Sequence, residues 1–391
     1  MKKALLAGAA LGLVFSSPAL ADIVIATAGP MTGQYASFGA QMKAGAEMAV
    51  EEINAAGGVL GEQLKLEIGD DACDPKQAVA VANQFAGLGV QLVAGHFCSG
   101  SSIPASAVYA EEGIVMISPA STNPVFTDDR PGPGVFRMCG RDDQQGDVAG
   151  QFLVDNFPDK KVAFIHDKTA YGQGIAEFFK QEAEAKGMEV LGFEGTEEKA
   201  NFDALLSPIL AANPDVVYFG GMYGQAALLF KQAREKGYMG MFMSDDGFDS
   251  SDAAKIGGQS LLEGAGTFYS TVSGPAAVYP DTAKFIADFK AKYNADPQPF
   301  AAQSYDSMGI CLKAIEAAAK AGNGKLPTRA EVAQAVRGLA EYKGITGTVT
   351  FNSIGDPVIA KYFVIQVGSA DPAKWPENPI VQTLDIAPPA P

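Results

Sequence analysis

The sequence predicts an α/β protein whose parallel sheets form two similar lobes. Short apolar runs alternate with helix-length amphipathic stretches along most of the chain, which is typical of parallel strands covered by helices on both faces. The pattern runs twice, over residues 22–140 and 141–270. The length of 391 residues also exceeds the roughly 250–300 residues at which a single core stops growing. We therefore expect two domains rather than one large sheet.

The predicted strands are short apolar runs that end at polar or turn-forming residues. The clearest are Ile23–Ala26, Val93–Gly95, Val162–Ile165 and Val216–Phe219, which have the length and apolar character of buried strands. Asn213-Pro214-Asp215 is a turn signal directly before the last of them.

Between the strands, apolar residues at three- and four-residue steps predict helices. Met42, Ala46, Ala49 and Ile53 form one such stripe. Asp74 before Pro75 has the character of an N-cap and first helical residue, which predicts a helix to Phe85. Three further helices and a final β-like segment are predicted near the C-terminus: Ala283–Tyr293, Ala301–Ala321 and Arg329–Leu339, then Gly347–Phe351 and Lys361–Val367, before a Pro-rich tail.

The N-terminus predicts export. Lys2 and Lys3 precede the apolar run Ala4–Phe15, and Ala19-Leu20-Ala21 matches a small-x-small cleavage pattern. We expect residues 1–21 to be a signal peptide that is cleaved after Ala21. No later run approaches the roughly 20 apolar residues of a membrane-spanning helix. The formal net charge of −16 argues against nucleic acid or anionic lipid as a partner.

Two strand ends in the first half carry small hydroxyl residues. Gly95–Ser102 joins the end of one strand to the start of a helix, and Ser118–Pro124 repeats the theme after the next strand. Ligands of open α/β sheets bind at the carboxyl ends of strands, and a helix N-terminus there suits a carboxylate or a phosphate. Ser99 can add a hydroxyl donor, or it can simply cap its helix. The pattern alone leaves both interpretations open.

The cysteines and the acidic loop allow more than one chemistry. Cys73 and Cys98 follow successive strands, so a disulfide between them is one expectation, provided that the strands are neighbours. The alternative makes His96 and Cys98 the base and nucleophile of a secreted hydrolase. Ser244–Asp249 follows another predicted strand and can hold an ammonium group, but it misses the calcium-loop pattern, so we expect no metal.

Four ordered motifs resemble the leucine/isoleucine/valine-binding protein family. They are Asp70–Asn83, Gly95–Ser99, Pro119–Thr122 and His166–Gly172, and the resemblance covers essentially the whole mature chain. It implies a type I periplasmic-binding fold, in which two doubly wound lobes are joined by three crossovers. The implied lobes are residues 22–140 plus 272–346 and residues 141–271 plus 347–391.

The resemblance also implies a function without catalysis or a cofactor. Members of the family capture amino acids in the periplasm and deliver them to a membrane ABC permease, and a monomer is expected. The family's disulfide pair corresponds to Cys73 and Cys98. Cys139 and Cys311 are expected to be buried free thiols.

Residues matching the family's binding motifs are the candidate ligand-binding residues. Ser99 and Thr122 are expected to bind the carboxylate and ammonium region with backbone groups of Ala120, and Ser121 lies in the same strand end. Tyr171 is expected to close over the ligand. Two further matches are less regular: Asp246 stands where the family usually has Glu, and Tyr223 follows Met222, which occupies the place of a common Tyr.

A side-chain pocket is expected from Phe38, Phe97 and Phe300, for which the alternative is ordinary core packing. Phe97 stands where smaller aliphatic residues also occur in relatives. A ring there shrinks the pocket and favours alanine, valine or another compact amino acid over leucine. The alternative ligands are a γ-amino acid, proline, an amide or an aromatic acid. The alternative functions are a sensor lobe of a membrane receptor and the hydrolase that uses Cys98.

Overall fold

The computed structural model describes residues 23–157 and 160–389, and within them the chain forms two α/β halves. The first is built on a parallel sheet with the strand order β2-β1-β3-β4-β5. The predicted signal peptide lies outside the described residues. The strands are β1 (Ile23–Gly29), β2 (Leu64–Asp70), β3 (Leu92–Gly95), β4 (Val115–Ser118) and β5 (Val135–Arg137), with helices α1 (Ala36–Ala55), α2 (Pro75–Gly87), α3 (Ser99–Glu111) and α4 (Val125–Asp128) between them.

The second half repeats this order and adds two antiparallel strands at one edge. Its sheet runs β14-β13-β10-β9-β8-β6-β7, with β6 to β10 parallel. The strands are β6 (Lys161–His166), β7 (Glu189–Gly195), β8 (Val216–Gly220), β9 (Met241–Ser244), β10 (Thr267–Thr271), β13 (Ala360–Gln366) and β14 (Ile380–Ile386), with helices α5 (Asp142–Asn156), α6 (Ala170–Ala185), α7 (Asp203–Ala211), α8 (Tyr223–Glu235) and α9 (Ser251–Gly257).

The segment after β10 returns to the first half. Helix α11 packs on α1 and against β3 and β4, α12 packs on α11 and β4, and α11 also contacts the β11–β12 hairpin. These elements are α10 (Ala283–Tyr293), α11 (Ala301–Ala321), α12 (Arg329–Gly338), β11 (Tyr342–Gly344) and β12 (Gly347–Val349). The chain then crosses back to β13. The half built on β1–β5 is called the first lobe, and the half built on β6–β10 is called the second lobe.

Three passages of the chain join the lobes: β5 to α5, β10 to α10, and β12 to β13. The predicted α/β fold, with two doubly wound lobes and three crossovers, is therefore confirmed. The residue boundaries predicted for the lobes stay a prediction. Because β12 pairs with β11, the structure favours a third boundary after Val349 rather than after Thr346.

Most predicted elements lie where the sequence indicates them. Helices α10 and α11 span the predicted residues, and the Asp74 side chain accepts hydrogen bonds from the backbone N–H groups of Lys76 and Gln77 at the start of α2. Strand β14 is a structural finding beyond the prediction. Its residues alternate between partly buried and exposed, because it lies at the sheet edge with one face open to solvent.

The two sheets have the same strand order around their first strand, so the carboxyl ends of equivalent strands occupy equivalent places in the two lobes. In each, the chain order reverses between the first and third strands, β1 and β3 in one lobe and β6 and β8 in the other. Ligands of doubly wound sheets bind at the carboxyl ends of the strands beside such a reversal. Both lobes therefore have a preferred binding edge. Within the described residues, no helix combines the length and apolar character needed to cross a bilayer.

Candidate ligand-binding site between the lobes

Loops from the carboxyl ends of the two sheets meet in direct contact. The Asn123 side-chain amide of the first lobe donates to the Ala170 carbonyl of the second at 2.6 Å. On the other side of the junction, the Ser37 hydroxyl lies 2.8 Å from the Tyr223 hydroxyl and 3.1 Å from that of Ser250. The lobes are therefore closed on each other in the described conformation, and the candidate residues lie at their junction.

The first lobe contributes a helix N-terminus and hydroxyl groups. Ser99 is the first residue of α3, directly after the strand end at Gly95 and the loop that follows it. Its hydroxyl oxygen accepts from the Asn123 N–H at 3.2 Å, and such a hydroxyl still has its own hydrogen to donate. Because the first N–H groups of a helix have no partner within the helix, this end suits an anion such as a carboxylate.

The loop after β4 carries Ala120, Ser121 and Thr122, all buried. The Ser121 hydroxyl is already engaged, since it donates to the Phe97 carbonyl at 2.8 Å and lies 2.5 Å from the Ser102 hydroxyl. The Thr122 hydroxyl is buried and has no hydrogen-bond partner among the described residues. Of these two hydroxyl groups, Thr122 is therefore the one free to bind a ligand, whereas Ser121 stabilises the loop.

The second lobe contributes paired acids around a tyrosine. The Tyr171 hydroxyl lies 2.8 Å from a carboxyl oxygen of both Asp245 and Asp246 and accepts from the Gly247 N–H at 2.9 Å. One hydroxyl hydrogen cannot serve two ionised acceptors, so this geometry favours a proton on one of the two acids. Burial raises the pKa of Asp246 to about 6, and burial together with the Asp246 charge raises that of Asp245 well above its usual value.

Asp245 and Asp246 differ in how fully they are bound. Asp245 also accepts from the Tyr218 hydroxyl at 3.0 Å and from the Gly221 N–H at 3.1 Å, and it caps the short turn Asp246–Phe248. Asp245 is therefore committed to the fold. Asp246, with fewer protein donors, is the better acceptor for a ligand cation.

The predicted phenylalanines form one buried aromatic cluster at the junction. Phe38 and Phe97 are stacked with ring centroids 4.4 Å apart, and Phe300 packs edge-on against both, at 5.8 and 5.0 Å. Tyr223 from the second lobe packs edge-on against Phe38 at 5.3 Å. Tyr223 also donates to the Gln34 carbonyl at 2.8 Å. Its ring therefore joins the apolar cluster, while its hydroxyl holds the lobes together.

A cavity of about 620 Å³ lies between the two lobes, and of the candidate ligand-binding residues Tyr171 alone lines it. Residues of the first lobe line one wall, among them both cysteines of the predicted disulfide and the start of α3. The other wall belongs to the second lobe and includes Tyr171 and Met222. The cavity thus lies between a wall from each lobe, and Met222 forms part of the second-lobe wall.

Cys73 and Cys98 form the predicted disulfide, with Cα atoms 5.6 Å apart. The expectation that their strands are neighbours is wrong, because β1 lies between β2 and β3. The sulfurs meet because the loops beyond these strands reach across the end of β1. The buried His96 lies 2.6 Å from Asp71 and 2.9 Å from the Tyr109 hydroxyl. The cysteine and histidine of the hydrolase alternative are thus both engaged in structural bonds.

Cys139 and Cys311 are buried free thiols, as predicted. Burial raises the pKa of both thiols well above the usual range. Among the described residues, no group of His, Cys, Asp and Glu side chains is arranged to hold a metal ion.

An arginine that the sequence did not single out fixes the loop of Thr122. Arg137 is fully buried, and its guanidinium donates to the Ser121 carbonyl at 2.7 Å and the Asn123 carbonyl at 2.9 Å. It also donates to Asp356 at 2.7 Å. Because Asp356 lies on the third crossover, the charge pair joins the ligand loop to the hinge. A lone arginine at a strand end gives no sequence signal of such a role.

Asp142 and Gln145, at the start of α5, are a second set that the sequence did not indicate. The Asp142 N–H donates to the Thr122 carbonyl at 3.0 Å, and its carboxyl group is buried without a hydrogen-bond partner among the described residues. Burial and then the Asp246 charge raise the pKa of Asp142 well above its usual value. An acid in the first turn of a helix usually indicates only a favourable interaction with the helix dipole.

Known proteins share this architecture and sequence. The sequence model described as periplasmic binding protein matches residues 22–372. The Leu/Ile/Val-binding protein homolog 1 of Brucella abortus (strain 2308) is 40% identical over 365 residues, covering 93% of this chain and 95% of the relative. A leucine-, isoleucine-, valine-, threonine-, and alanine-binding protein of Pseudomonas aeruginosa is 41% identical over 347 residues, covering 88% of this chain and 90% of the relative.

Solved structures of solute-binding proteins have the same fold as this chain. A leucine binding protein of Thermotoga maritima superimposes with a TM-score of 0.82 at 28% identity, covering 93% of this chain and 98% of that one. A branched-chain amino acid transporter substrate binding protein of Streptococcus pneumoniae, in complex with isoleucine, gives 0.81 at 22% identity, covering 94% and 100%, a likeness of fold. The chain therefore belongs to the periplasmic binding protein family, in its branched-chain amino acid binding group, with the type I fold.

Proposed function

We propose that the chain is the solute-binding component of an ABC importer and captures a small neutral amino acid between its lobes. The observation that carries this proposal is the opposition of a donor face to an acceptor face. The start of α3 at Ser99 offers N–H and hydroxyl donors, and Asp246 with Tyr171 offers acceptors. A zwitterion needs donors at its carboxylate and acceptors at its ammonium, and both interactions are stronger in a dry, closed cleft.

The aromatic cluster favours a compact aliphatic ligand. Phe97 stacks on Phe38 and contacts Phe300, so its ring occupies volume that a smaller residue would leave to a ligand side chain. Alanine, valine and similar residues fit such a pocket better than leucine. The name of the Pseudomonas aeruginosa relative includes threonine and alanine, which is consistent with a pocket that accepts small side chains. One methylene more or less changes affinity by only about 1–3 kcal/mol, so we expect several ligands.

Asp246 favours amines over plain acids. The shorter Asp, where relatives usually have Glu, requires the ammonium to lie closer to the second lobe or a water to bridge them. A benzoate-like ligand has no group to pair with this carboxylate. The engaged states of Cys98 and His96 support a binding protein rather than a hydrolase.

The remaining parts of the proposal concern the protein's place in the cell. We infer export by the predicted signal peptide at residues 1–21, action as a periplasmic monomer, and delivery of the ligand to a membrane ABC permease. These three inferences rest on the family to which the chain belongs.

A thermal-shift screen of the purified mature protein tests the function. The panel is the common amino acids, γ-aminobutyrate, proline, amides and benzoate, and the best hits are then titrated by calorimetry. We expect the largest stabilisation from compact aliphatic amino acids and recovery of the ligand unchanged after binding. Small-angle scattering should show compaction on ligand addition, because hinge closure is the expected response of two lobes joined by a few strands. Stabilisation by benzoate alone, or by no amino acid, would refute the proposal.

A further inference from the structure

Buried polar atoms without partners gather at one place beside Asp246. Among the described residues, the Thr122 hydroxyl, both carboxyl oxygens of Asp142 and the Gln145 side-chain carbonyl oxygen make no hydrogen bond of regular geometry, and all are shielded from solvent. Thr122 nevertheless lies close enough to Asp142, and the Gln145 side chain close enough to Asp246, to lower the pKa of each carboxyl group in part. Buried polar atoms are nearly always paired in folded proteins, so such a group calls for an explanation. We call these three side chains, together with Asp246, the oxygen cluster.

The backbone brings the members of the oxygen cluster together. The Asp142 N–H donates to the Thr122 carbonyl at 3.0 Å, so the two residues are adjacent across the first crossover. Asp142 and Gln145 are three residues apart on α5 and therefore share one face of that helix. Gln145 is held in place from the far side, because its amide nitrogen donates to the Ser270 carbonyl at 3.2 Å and to the Ser270 hydroxyl at 3.1 Å. Its carbonyl oxygen is left for another partner.

The carboxyl groups at this place have little positive charge to balance them. Burial first, and then the charge of the nearby Asp246, raise the pKa of Asp142 well above its usual value, and Thr122 and Arg137 offset this only in part. Arg137 is the cation that acts on Asp142, but its guanidinium already donates to Asp356 and to the loop carbonyls of Ser121 and Asn123. A carboxyl group buried without a partner is costly unless a cation or donor from outside the chain binds it.

The hydrogen-bond acceptors and carboxyl groups of the oxygen cluster suit an ammonium group. Every one of these atoms is an oxygen that can accept a hydrogen bond, and only Thr122 also has a hydrogen to donate, so a donor or a cation is the group that suits the cluster. The described residues hold no cluster arranged for a metal ion. An ammonium group presents several N–H donors together with a positive charge, and it matches two carboxyl groups, a hydroxyl and an amide oxygen. The ligand proposed above carries such a group.

We propose that Asp142 is a second carboxylate of the ammonium site, and that it binds the ligand's cationic group together with Asp246. Thr122 and the Gln145 carbonyl oxygen complete the set of acceptors. The inference rests on the proposed function, because it assigns a residue to the cation of the same ligand. It makes the first crossover, where α5 begins, part of the binding site, so the ligand contacts the hinge as well as the two faces of the cleft.

The test compares an amino acid with its analogue that lacks the ammonium. Calorimetry measures the affinity of wild-type protein and of Asp142→Asn for L-valine and for 3-methylbutanoate, which is valine without its amino group. Removing one partner of a buried charge pair costs about 2–5 kcal/mol, so we expect valine affinity to fall roughly thirty-fold or more. Affinity for 3-methylbutanoate should stay the same or rise, because it has no cation for Asp142 to bind.

The control is Asp306→Asn, a buried aspartate of the first lobe away from the cleft. Asp306 accepts from the Ile345 and Thr346 N–H groups at 2.9 and 2.8 Å, so its substitution should lower the melting temperature and leave both affinities unchanged. Asp142→Asn should show the opposite pattern, with an unchanged or higher melting temperature, because an unpaired carboxyl is removed.

Three outcomes would overturn the inference. They are an equal loss of affinity for valine and 3-methylbutanoate, a change in valine affinity below twofold, or an Asp142→Asn protein that fails to fold, which would assign Asp142 to the fold instead. A failure of the proposed function itself would give a different result in the screen. In that case wild-type protein binds none of the amino acids in the screen, whereas failure of this inference alone leaves wild-type valine binding intact.

Discussion

The two faces of the cleft are built from strand ends of the same topology but differ in chemistry. In the first lobe, the strand ends lead to the α3 N-terminus at Ser99, whose N–H groups can donate, and to the neutral Thr122 hydroxyl, which can donate to a carboxylate and accept from an ammonium. In the second lobe, the equivalent edge carries Asp245 and Asp246 around Tyr171. One repeated fold thus gives a donor wall and an acidic wall.

This difference explains why closure should depend on a ligand with two opposite charges. In the proposed site, the α3 N-terminus of the first wall binds the ligand carboxylate and the acids of the second wall bind its ammonium, so both walls are needed to bind the whole ligand. A ligand makes all its contacts only when the two walls approach each other, so it binds the closed state more tightly than the open state. The ratio of these two affinities sets how far the ligand shifts the protein toward the closed state. The predictions that follow test each wall separately.

The largest effect is expected on the acidic wall. Asp246→Ala leaves a buried ammonium without its partner, which costs about 2–5 kcal/mol, so affinity for the best amino acid should fall by some thirty-fold to several thousand-fold. Calorimetric titration measures this. Asp155→Ala, at an exposed acid on α5 of the same lobe, is the matched control and should change little. Near-normal affinity in a folded Asp246→Ala protein would exclude the assignment, and Asp245 would be the next candidate.

A smaller loss is expected on the donor wall. Thr122→Val keeps the shape of the side chain and removes its unpartnered hydroxyl. A hydrogen bond to a charged group contributes about 1.5–3 kcal/mol, so affinity should fall by roughly ten- to 150-fold while the melting temperature is unchanged or higher. Thr267→Val is the control, because Thr267 donates to the Leu261 carbonyl at 2.8 Å. It should lower stability and spare affinity. The same pattern in both variants would argue against a ligand contact at Thr122.

Phe97→Leu tests the pocket that lies between the walls. Replacing the ring that stacks on Phe38 at 4.4 Å should enlarge the pocket. The ratio of leucine affinity to alanine affinity should then rise by about tenfold, within the 1–3 kcal/mol of small apolar differences. Competition titrations measure the ratio. Phe285→Leu, in the separate Phe285–Phe289 pair, should leave it unchanged. An unaltered ratio in Phe97→Leu would show that the ring packs only in the core.

The smallest effect is a pH dependence that arises from the acidic wall. Burial raises the pKa of Asp246 to about 6, and hydrogen bonds from the Tyr171 hydroxyl and the Gln145 side chain limit the rise. A bound ammonium favours the ionised carboxylate and lowers that pKa. Affinity should therefore be constant above neutral pH and fall as pH drops through about 6, at most tenfold per unit for one proton. A flat titration profile between pH 5 and 7 would contradict this.

Sequence patterns and the resemblance predict the wall residues that have a local signal. They do not predict the residues whose roles depend on contacts with distant parts of the chain. Ser99 and Thr122 follow apolar strands directly, so pattern and resemblance both indicate them. Arg137, Asp142 and Gln145 act through partners that lie far along the chain or on another element. Their roles depend on how the crossovers bring those partners together, which no local pattern encodes.

The fold shows the same limit. The four buried parallel strands predicted from continuous apolar runs are confirmed as parts of β1, β3, β6 and β8. Strand β14 (Ile380–Ile386) has one exposed face, and Gln382, Thr383 and Asp385 interrupt its apolar residues. The disulfide implied by the resemblance is confirmed, but the expectation that its two strands are neighbours is wrong. The sulfurs meet because the loops beyond β2 and β3 reach across the end of β1, which lies between these strands.

That arrangement of the disulfide has a consequence for how far the first sheet can open. The loops that carry Cys73 and Cys98 meet beyond the end of β1, where the Asp71 N–H donates to the Gly29 carbonyl at 3.0 Å. Since β1 pairs with β2 on one side and with β3 on the other, the covalent bond links the two neighbours of β1 at its carboxyl end. The bond therefore limits how far β2 and β3 can separate at the edge of the sheet that faces the second lobe.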